Sequence, residues 1–426
     1  MDAALTAAHT APSGEEAGIL VAPLALPVIA LTVPVPDYFD TLNGLVNRPN
    51  KWDFEHAHVP LAFEWWAPGS LTASVQATGS LALGSHKFIL DFDHDSNDLG
   101  RLKGSFFTAS QTTRDQFDAL ILRHPNDYGQ FTHHLHDLWV TDTHRLMGLH
   151  NPLNGARLGP GGTWPVRGIR LVHVFLNGLY WGVTHLTERV DNDFWASRIA
   201  QPKAYKDFDA YSASGSDPLP NLSAALSAAD AAILAQPIAE TDAAWVTLNS
   251  ELEVDQFIDY LLLCWYIGEI PEDENSARAV RWSPDKDPQA LDRAWRFFTY
   301  DPENAALNDP EANLPFQTGG TLHLWNPIYT LLPKLLNIGL FRQHLLERAE
   351  AHCSTGGVLH PAAALARLAP LATQMRAHLW AECARHTNLT TQAILDDWAA
   401  EQSTMQTFFQ ERASILLGNI QTALEE

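Results

Sequence analysis

The chain has 426 residues, enough for one large core or for two lobes sharing a cleft. Charged residues make up 18% and the AVILMFWYC set 46%, which excludes a disordered chain. Twenty-seven Lys and Arg against 50 Asp and Glu leave a formal net charge of −23. Such a surface repels nucleic acid and anionic lipid, attracts basic proteins, and needs Mg²⁺ before it can hold a polyphosphate.

From the N-terminus, Met1 to Gly18 carries Asp2, Glu15 and Glu16 and no Lys or Arg, so no basic export signal is legible. The apolar run Ile19 to Val35 is broken by Pro23, Pro27 and Pro34 and cannot be one membrane helix. The expectation is a cytoplasmic chain, or an exported one whose signal has been trimmed. Strands are expected at Pro27 to Val35, Pro60 to Trp66, Leu71 to Gly79 and Lys87 to Phe92, the last alternating in period two. Asn177-Gly178, between Val172 to Leu176 and Leu179 to Val183, predicts a type I′ hairpin, because both turn residues must take positive φ.

The second half reads as helical. Helices are expected at Leu222 to Ala235, Val254 to Ile267, Pro327 to Leu336, Leu340 to His352, Pro361 to His386 and Thr391 to Leu424. Val254 to Ile267 is apolar nearly all round, so it should be buried, and Pro361 fits a first helical turn. Two acidic loops interrupt this half, Pro271 to Asp292 and Pro302 to Gly320; long loops of this kind are usually functional. A β-rich front and a helical back fit a two-lobed nucleotide transferase and also many unrelated α+β proteins.

Several residues suit chemistry. Asp301 ends the bulky run Trp295 to Tyr300 and Glu303 follows it; a carboxylate at the mouth of a strand is a good Mg²⁺ ligand, or else Asp-Pro punctuation of a turn. Glu269, Glu272, Asp273, Glu274 and Asn275 crowd one segment after the buried helix, fit to position a nucleophile and hold a metal, or simply to face solvent. Lys87 can meet phosphates as a point charge or face outward from its strand, and Glu188, after the hairpin, can pair with it. Asp91, Asp93 and Asp95 begin like a calcium loop, but Ser96 stands where the turn Gly belongs. His133, His134 and His136 lack zinc spacing and read as solvent-facing or packed. Gly159 to Gly162 lacks the Lys-Ser/Thr of a phosphate loop. The three cysteines, Cys264, Cys353 and Cys383, form neither a metal spacing nor a disulfide framework.

The run Val174 to Val183, followed by Leu186-Thr187-Glu188-Arg189-Val190-Asp191-Asn192-Asp193-Phe194, resembles the central signature of the CotH spore-coat kinase family. Ser85 to Phe88, Asp118 to Arg123 with Asn126-Asp127, His136-Asp137-Leu138 with Gly148, Arg296 to Glu303, and the stretch from Phe341 to Arg412 resemble other family segments in the same order. The resemblance implies an α+β, two-lobed, atypical protein-kinase-like fold. It places an N-terminal tail at 1–26 and a kinase-like domain at 27–345, with lobes of about 27–185 and 186–345. A helical extension follows at 346–426.

The same resemblance implies transfer of the γ-phosphoryl of ATP, with Mg²⁺ or Mn²⁺, to Ser or Thr of a protein. Lys87, with Arg123 and Glu188, would attend the nucleotide; Asp301, Asn275 and Glu303 would hold metal. The family's catalytic-loop Asp is absent from its usual place, which aligns with Glu269 or Ile270, so Glu269, Glu272 and Asp273 are the candidate bases. The alternatives are a pseudokinase or nucleotide-binding coat or envelope protein, and an adenylylating enzyme. The expected partner is a basic, Ser-containing protein, with neither nucleic acid nor membrane.

Overall fold

The structure is a computed structural model. It describes residues 25–40, 44–47, 58–70, 72–84, 87–92, 101–112, 114–124, 133–150, 164–190, 194, 208–212, 222–269, 277–282, 294–299, 302, 307, 309–311, 327–379 and 391–425. The chain forms two compact units, each assembled from three stretches. The first takes 1–138, 167–189 and 369–402; the second takes 139–166, 190–368 and 403–426.

The first unit is a closed seven-stranded barrel. Its strands are β1 (Val28–Thr32), β2 (His58–Trp66), β3 (Val75–Gly84), β4 (Lys87–Asp91), β7 (Ala119–Arg123), β8 (Ile169–Leu176) and β9 (Leu179–Glu188). They lie in the order β1-β2-β3-β4-β7-β9-β8, and a small ribbon of β5 (Leu102–Lys103) and β6 (Gln116–Phe117) is separate. Every barrel pairing is antiparallel except β1 with β8, which run parallel and close the ring. Alternate residues point inward: Ile29 and Leu31, Leu61 and Phe63, Leu81 and Leu83, Leu120 and Leu122, Val172 and Val174, with Leu90 and Leu186, form one buried core.

The hairpin turn takes the conformation that its sequence demands, with φ of 51° at Asn177 and 79° at Gly178. Asn177 also has a second task. Its backbone N–H donates to Leu31, its Oδ1 accepts from the N–H of Val33 at 2.8 Å, and its Nδ2 donates to the Val33 carbonyl at 3.1 Å. The turn residue thus ties the β8–β9 hairpin to the end of β1, where the barrel closes.

The second unit is mainly helical and holds a three-stranded antiparallel sheet, β10 (Phe208–Ser212), β11 (Ala277–Trp282) and β12 (Arg296–Thr299). Expected as loop, Pro271 to Asp292 therefore contains a strand. Ala277 to Trp282 is too short to announce itself and is fixed by non-local pairing with β10 and β12.

In chain order the helices are α1 (Val35–Phe39), α2 (His133–Met147), α3 (Ser223–Ala235), α4 (Ala243–Glu251), α5 (Val254–Tyr266), α6 (Pro327–Leu336), α7 (Gly339–Cys353), α8 (Pro361–Arg376) and α9 (Thr391–Glu425). Every residue of α5 is buried, as its sequence required. The helix expected from Pro361 to His386 is interrupted after Arg376: Ala377 and His378 turn, Leu379 is helical again, and residues 380–386 lie outside the described residues; the His378 ring packs 5.0 Å from that of His173 on β8. Leu71 to Gly79 was expected as a strand, but the strand starts at Val75, because Ser74 closes the preceding turn by donating to the Trp65 carbonyl. Among the described residues, no helix is long and apolar enough to cross a membrane.

Candidate functional site

In the barrel unit, Lys87 on β4 lies opposite Arg123 on β7, and Arg123 lies opposite His185 on β9. Cross-strand partners share a face, so the three basic side chains form one row on the outside of the barrel. Lys87 at the end of the row is half-buried, while Arg123 is 4% and His185 2% exposed. Glu188 stands three rungs along, in the row of Leu120 and Leu90.

Helix α2 supplies the row with a counter-charge. Asp137 is ion-paired with Arg167, both being buried. Burial alone would raise the Asp137 pKa, but the charges of Arg167, His185 and Arg123 outweigh it and hold the carboxyl below its ordinary range. His185 donates from Nε2 to the His134 carbonyl at 2.8 Å, and burial, opposed by Asp137, brings its pKa down to about 4. It is neutral at pH 7. Glu188 is fixed at both ends: its N–H donates to the Gly168 carbonyl and its Oε2 accepts from the Gly168 N–H. The result is a fixed charge array in which the buried Asp137 carboxylate faces the buried guanidiniums of Arg167 and Arg123, with Lys87 adding positive charge at the more open end. Glu188, in the inward row of Leu120 and Leu90, stands on the other face of the sheet, so the registers do not set it beside Lys87 as the sequence suggested. Asp137, Arg167 and His185 were not picked out as site residues from the sequence. The only signal for Asp137 was its place in a family-like segment, and Arg167 and His185 carried none.

In the helical unit, α5 is the organising element. Its Asp259 is completely buried and accepts from Arg348 Nε at 2.7 Å, Arg348 Nη2, His352 Nε2 at 2.8 Å and Trp164 Nε1. Both Asp259 oxygens are thereby used, and although burial opposes ionisation, Arg348 and His352 hold its pKa far below the ordinary value. One turn earlier, Gln256 treats β12 as a strand would: its Oε1 accepts from the Phe297 N–H at 2.8 Å and its Nε2 donates to the Phe297 carbonyl. The junction of α4 and α5 continues the pairing, Glu253 N–H to the Trp295 carbonyl and Trp295 N–H to the Glu251 carbonyl. Arg296 pairs with Glu253 at 3.4 Å with both buried.

These contacts aim two chain segments. Helix α5 ends in a left-handed Gly268, φ 72°, and the Glu269 N–H returns to the Cys264 carbonyl at 2.9 Å. Glu269 is 8% exposed, held just past the helix. Strand β12 ends at Thr299, two residues before Asp301. Glu272, Asp273, Asn275, Asp301 and Glu303 lie outside the described residues. So do Asp93, Asp95 and Gly159 to Gly162. Among the described residues no group of three His, Cys, Asp or Glu side chains is placed to hold a metal. His134 and His136 are buried, in keeping with packed histidines.

A barrel carrying a braced charge array, together with a helical unit whose central buried helix ends in an acidic segment, defines a mixed α/β protein with sites set on rigid elements. The family model described as CotH kinase protein matches residues 163–416, more than half of the chain, and the chain belongs to that family. The match includes Glu188, Glu269 and Arg412 and begins beyond Lys87 and Arg123. No curated protein matches the chain.

Proposed function

We propose that this protein is a two-lobed, kinase-like transferase that moves the γ-phosphoryl of ATP to Ser or Thr of a basic protein, with Mg²⁺ or Mn²⁺. The observation that carries this reading is membership of a kinase family over residues 163–416. One support comes from the fold and one from the sequence. Lys87, at the open end of its row with Arg123, offers positive charge and N–H donors, which suit phosphate oxygens, on a rigid sheet. The donors Asp301, Asn275 and Glu303 are all hard oxygen ligands, the set that Mg²⁺ prefers.

In this reading the half-buried Lys87 meets the phosphates and the more deeply buried Arg123 fixes the charge beside it, while Glu188 braces the neighbouring end of β9 through Gly168. Glu269 accepts or orients the substrate hydroxyl, with Glu272 and Asp273 next to it in sequence. Bound Mg²⁺-ATP would bring the transferable phosphoryl group and a cation to neutralise its charge; positioning is the chain's own contribution. The net charge of −23 favours encounter with a Lys/Arg-rich substrate, an effect that salt weakens.

The test incubates the purified protein with ATP and Mg²⁺, offers a basic and an acidic Ser peptide, and follows peptide-bound γ-phosphate and released AMP separately. Phosphate on the basic peptide is expected. AMP attached to protein would replace the reading with adenylylation. A melting shift with Mg²⁺-ATP but no transfer would replace it with a nucleotide-binding pseudokinase, a reading favoured by the missing family Asp near Glu269. Neither shift nor transfer would remove both.

A further inference from the structure

Arg412 lies on α9, fully buried, and its guanidinium reaches three backbone carbonyls. Nε donates to Tyr266 at 2.8 Å, Nη2 to Trp265, and Nη1 to Pro310. Trp265 and Tyr266 are the last two residues of α5, whose terminal carbonyls carry the negative end of the helix dipole. The chain itself also uses carbonyls here: Leu263 accepts from Ile267, Cys264 from Glu269, and Trp265, besides Arg412, from Gly268 at 3.2 Å. Arg412 therefore completes the cap of the helix that presents Glu269.

The third bond reaches a separate segment. Pro310 belongs to a turn in which Asp309 Oδ1 accepts the Glu311 N–H at 3.0 Å. Burial brings the Arg412 pKa down to about 10, and among the charges that support the cation are Glu311 and Asp309. The group stays ionised at pH 7. It also lies 5.7 Å from the centre of the Phe408 ring, and Tyr266 stacks on Trp139 and Phe409 at 5.9 and 6.3 Å. Phe408 thus flanks the guanidinium, and the stacked Tyr266, Trp139 and Phe409 rings brace the helix end that it caps. A planar fork with several donors can hold divergent carbonyls at once; a Lys ammonium on a flexible stem cannot match that geometry.

We propose that Arg412 is a positioning residue, a clamp that locks the end of α5, and with it Glu269, to the 309–311 turn. The catalytic part of this inference rests on the reading of Glu269 as the group that orients the substrate hydroxyl.

The experiment compares the parent with R412K, R412M, E269Q and R412K/E269Q. Each is assayed for kcat, for ATP KM, and for amide exchange in peptides carrying Gly268, Glu269 and Glu311. Displacement of a reacting group by about 1 Å costs on the order of 100-fold in rate. R412K is expected to lower kcat by about that factor with ATP KM unchanged. It should speed exchange at Gly268, Glu269 and Glu311 but not in the barrel strands, and have little further effect in the E269Q background. A kcat equal to the parent's, or losses that multiply in the double variant, would overturn the positioning role. If R412M does not fold, R412K decides. If the parent transfers no phosphate, the proposed function fails by itself, and exchange decides the clamp: unchanged protection at Gly268, Glu269 and Glu311 in R412K overturns it.

Discussion

Replacing Asp259 by Asn tests whether α5 is held by charge or by shape. The carboxylate is completely buried and takes bonds from Arg348, His352 and Trp164. The amide is nearly isosteric, but it offers one acceptor oxygen and sets an NH₂ donor against a ring of donors. Arg348 keeps the more distant Asp255, at 3.9 Å, and the weaker field of Glu253 as counter-charge. Breaking a buried pair in this way costs about 3–5 kcal/mol, mostly because the remaining charge is stranded. For a unit of this size each kcal/mol moves Tm by about 2–4 °C, so D259N should melt roughly 6–20 °C lower.

The same logic fixes the pH dependence. The Asp259 pKa is depressed in the fold, so its contribution is full above the ordinary carboxylate range and is lost as pH falls below about 3.8. D259N should therefore lose little further stability from this site on acidification. Adding R348M removes the stranded cation, and the double variant should be more stable than D259N alone. Thermal unfolding followed by circular dichroism reads all three. A D259N melting point within about 2 °C of the parent, or a double variant less stable than D259N, would refute the reasoning.

Three further outcomes are expected. Lys87→Ala should abolish the rise in Tm that Mg²⁺-ATP gives the parent, with the nucleotide-free Tm almost unchanged, since a half-buried strand Lys supports little packing; an equal shift in both proteins removes Lys87 from the site. Asp301→Ala should eliminate metal-dependent turnover in the phosphate-transfer assay with the far-UV spectrum intact, and equal turnover clears Asp301 of a metal role. His173, which bonds Tyr180 through Nδ1 at 3.0 Å, has its pKa lowered to about 3 by burial and by His378. The folded state thus refuses a proton that the unfolded chain accepts below about 6.5, so stability is full above that pH and falls below it, by up to about 1.4 kcal/mol per pH unit. His173→Gln should make the plot of urea midpoint against pH shallower between about 6.5 and 4, the buried His144, His185 and His378 supplying the slope that remains, and an unchanged slope refutes the assignment.

The features that the sequence determined by itself are local ones. Asn177-Gly178 could only make a tight turn, because few other residue pairs tolerate two positive φ values. Val254 to Tyr266 had to be a buried helix, because its apolar residues leave no face for water. The signature from Val174 to Phe194 was enough to name the family, and the family match over 163–416 agrees. What only the tertiary structure decided depends on pairings between distant residues. Nothing in β1 or β8 says that they run parallel and close a barrel; that follows from the registers of seven strands taken together. Lys87 was visible as a basic residue in a strand, but its row with Arg123 and His185 is a property of two pairings that span the sequence from 87 to 185. Asp259 and Arg412 were invisible as structural anchors for a similar reason. Their partners lie 89 to 147 positions away in sequence, and a buried charge is tolerated only where the fold brings such partners into contact.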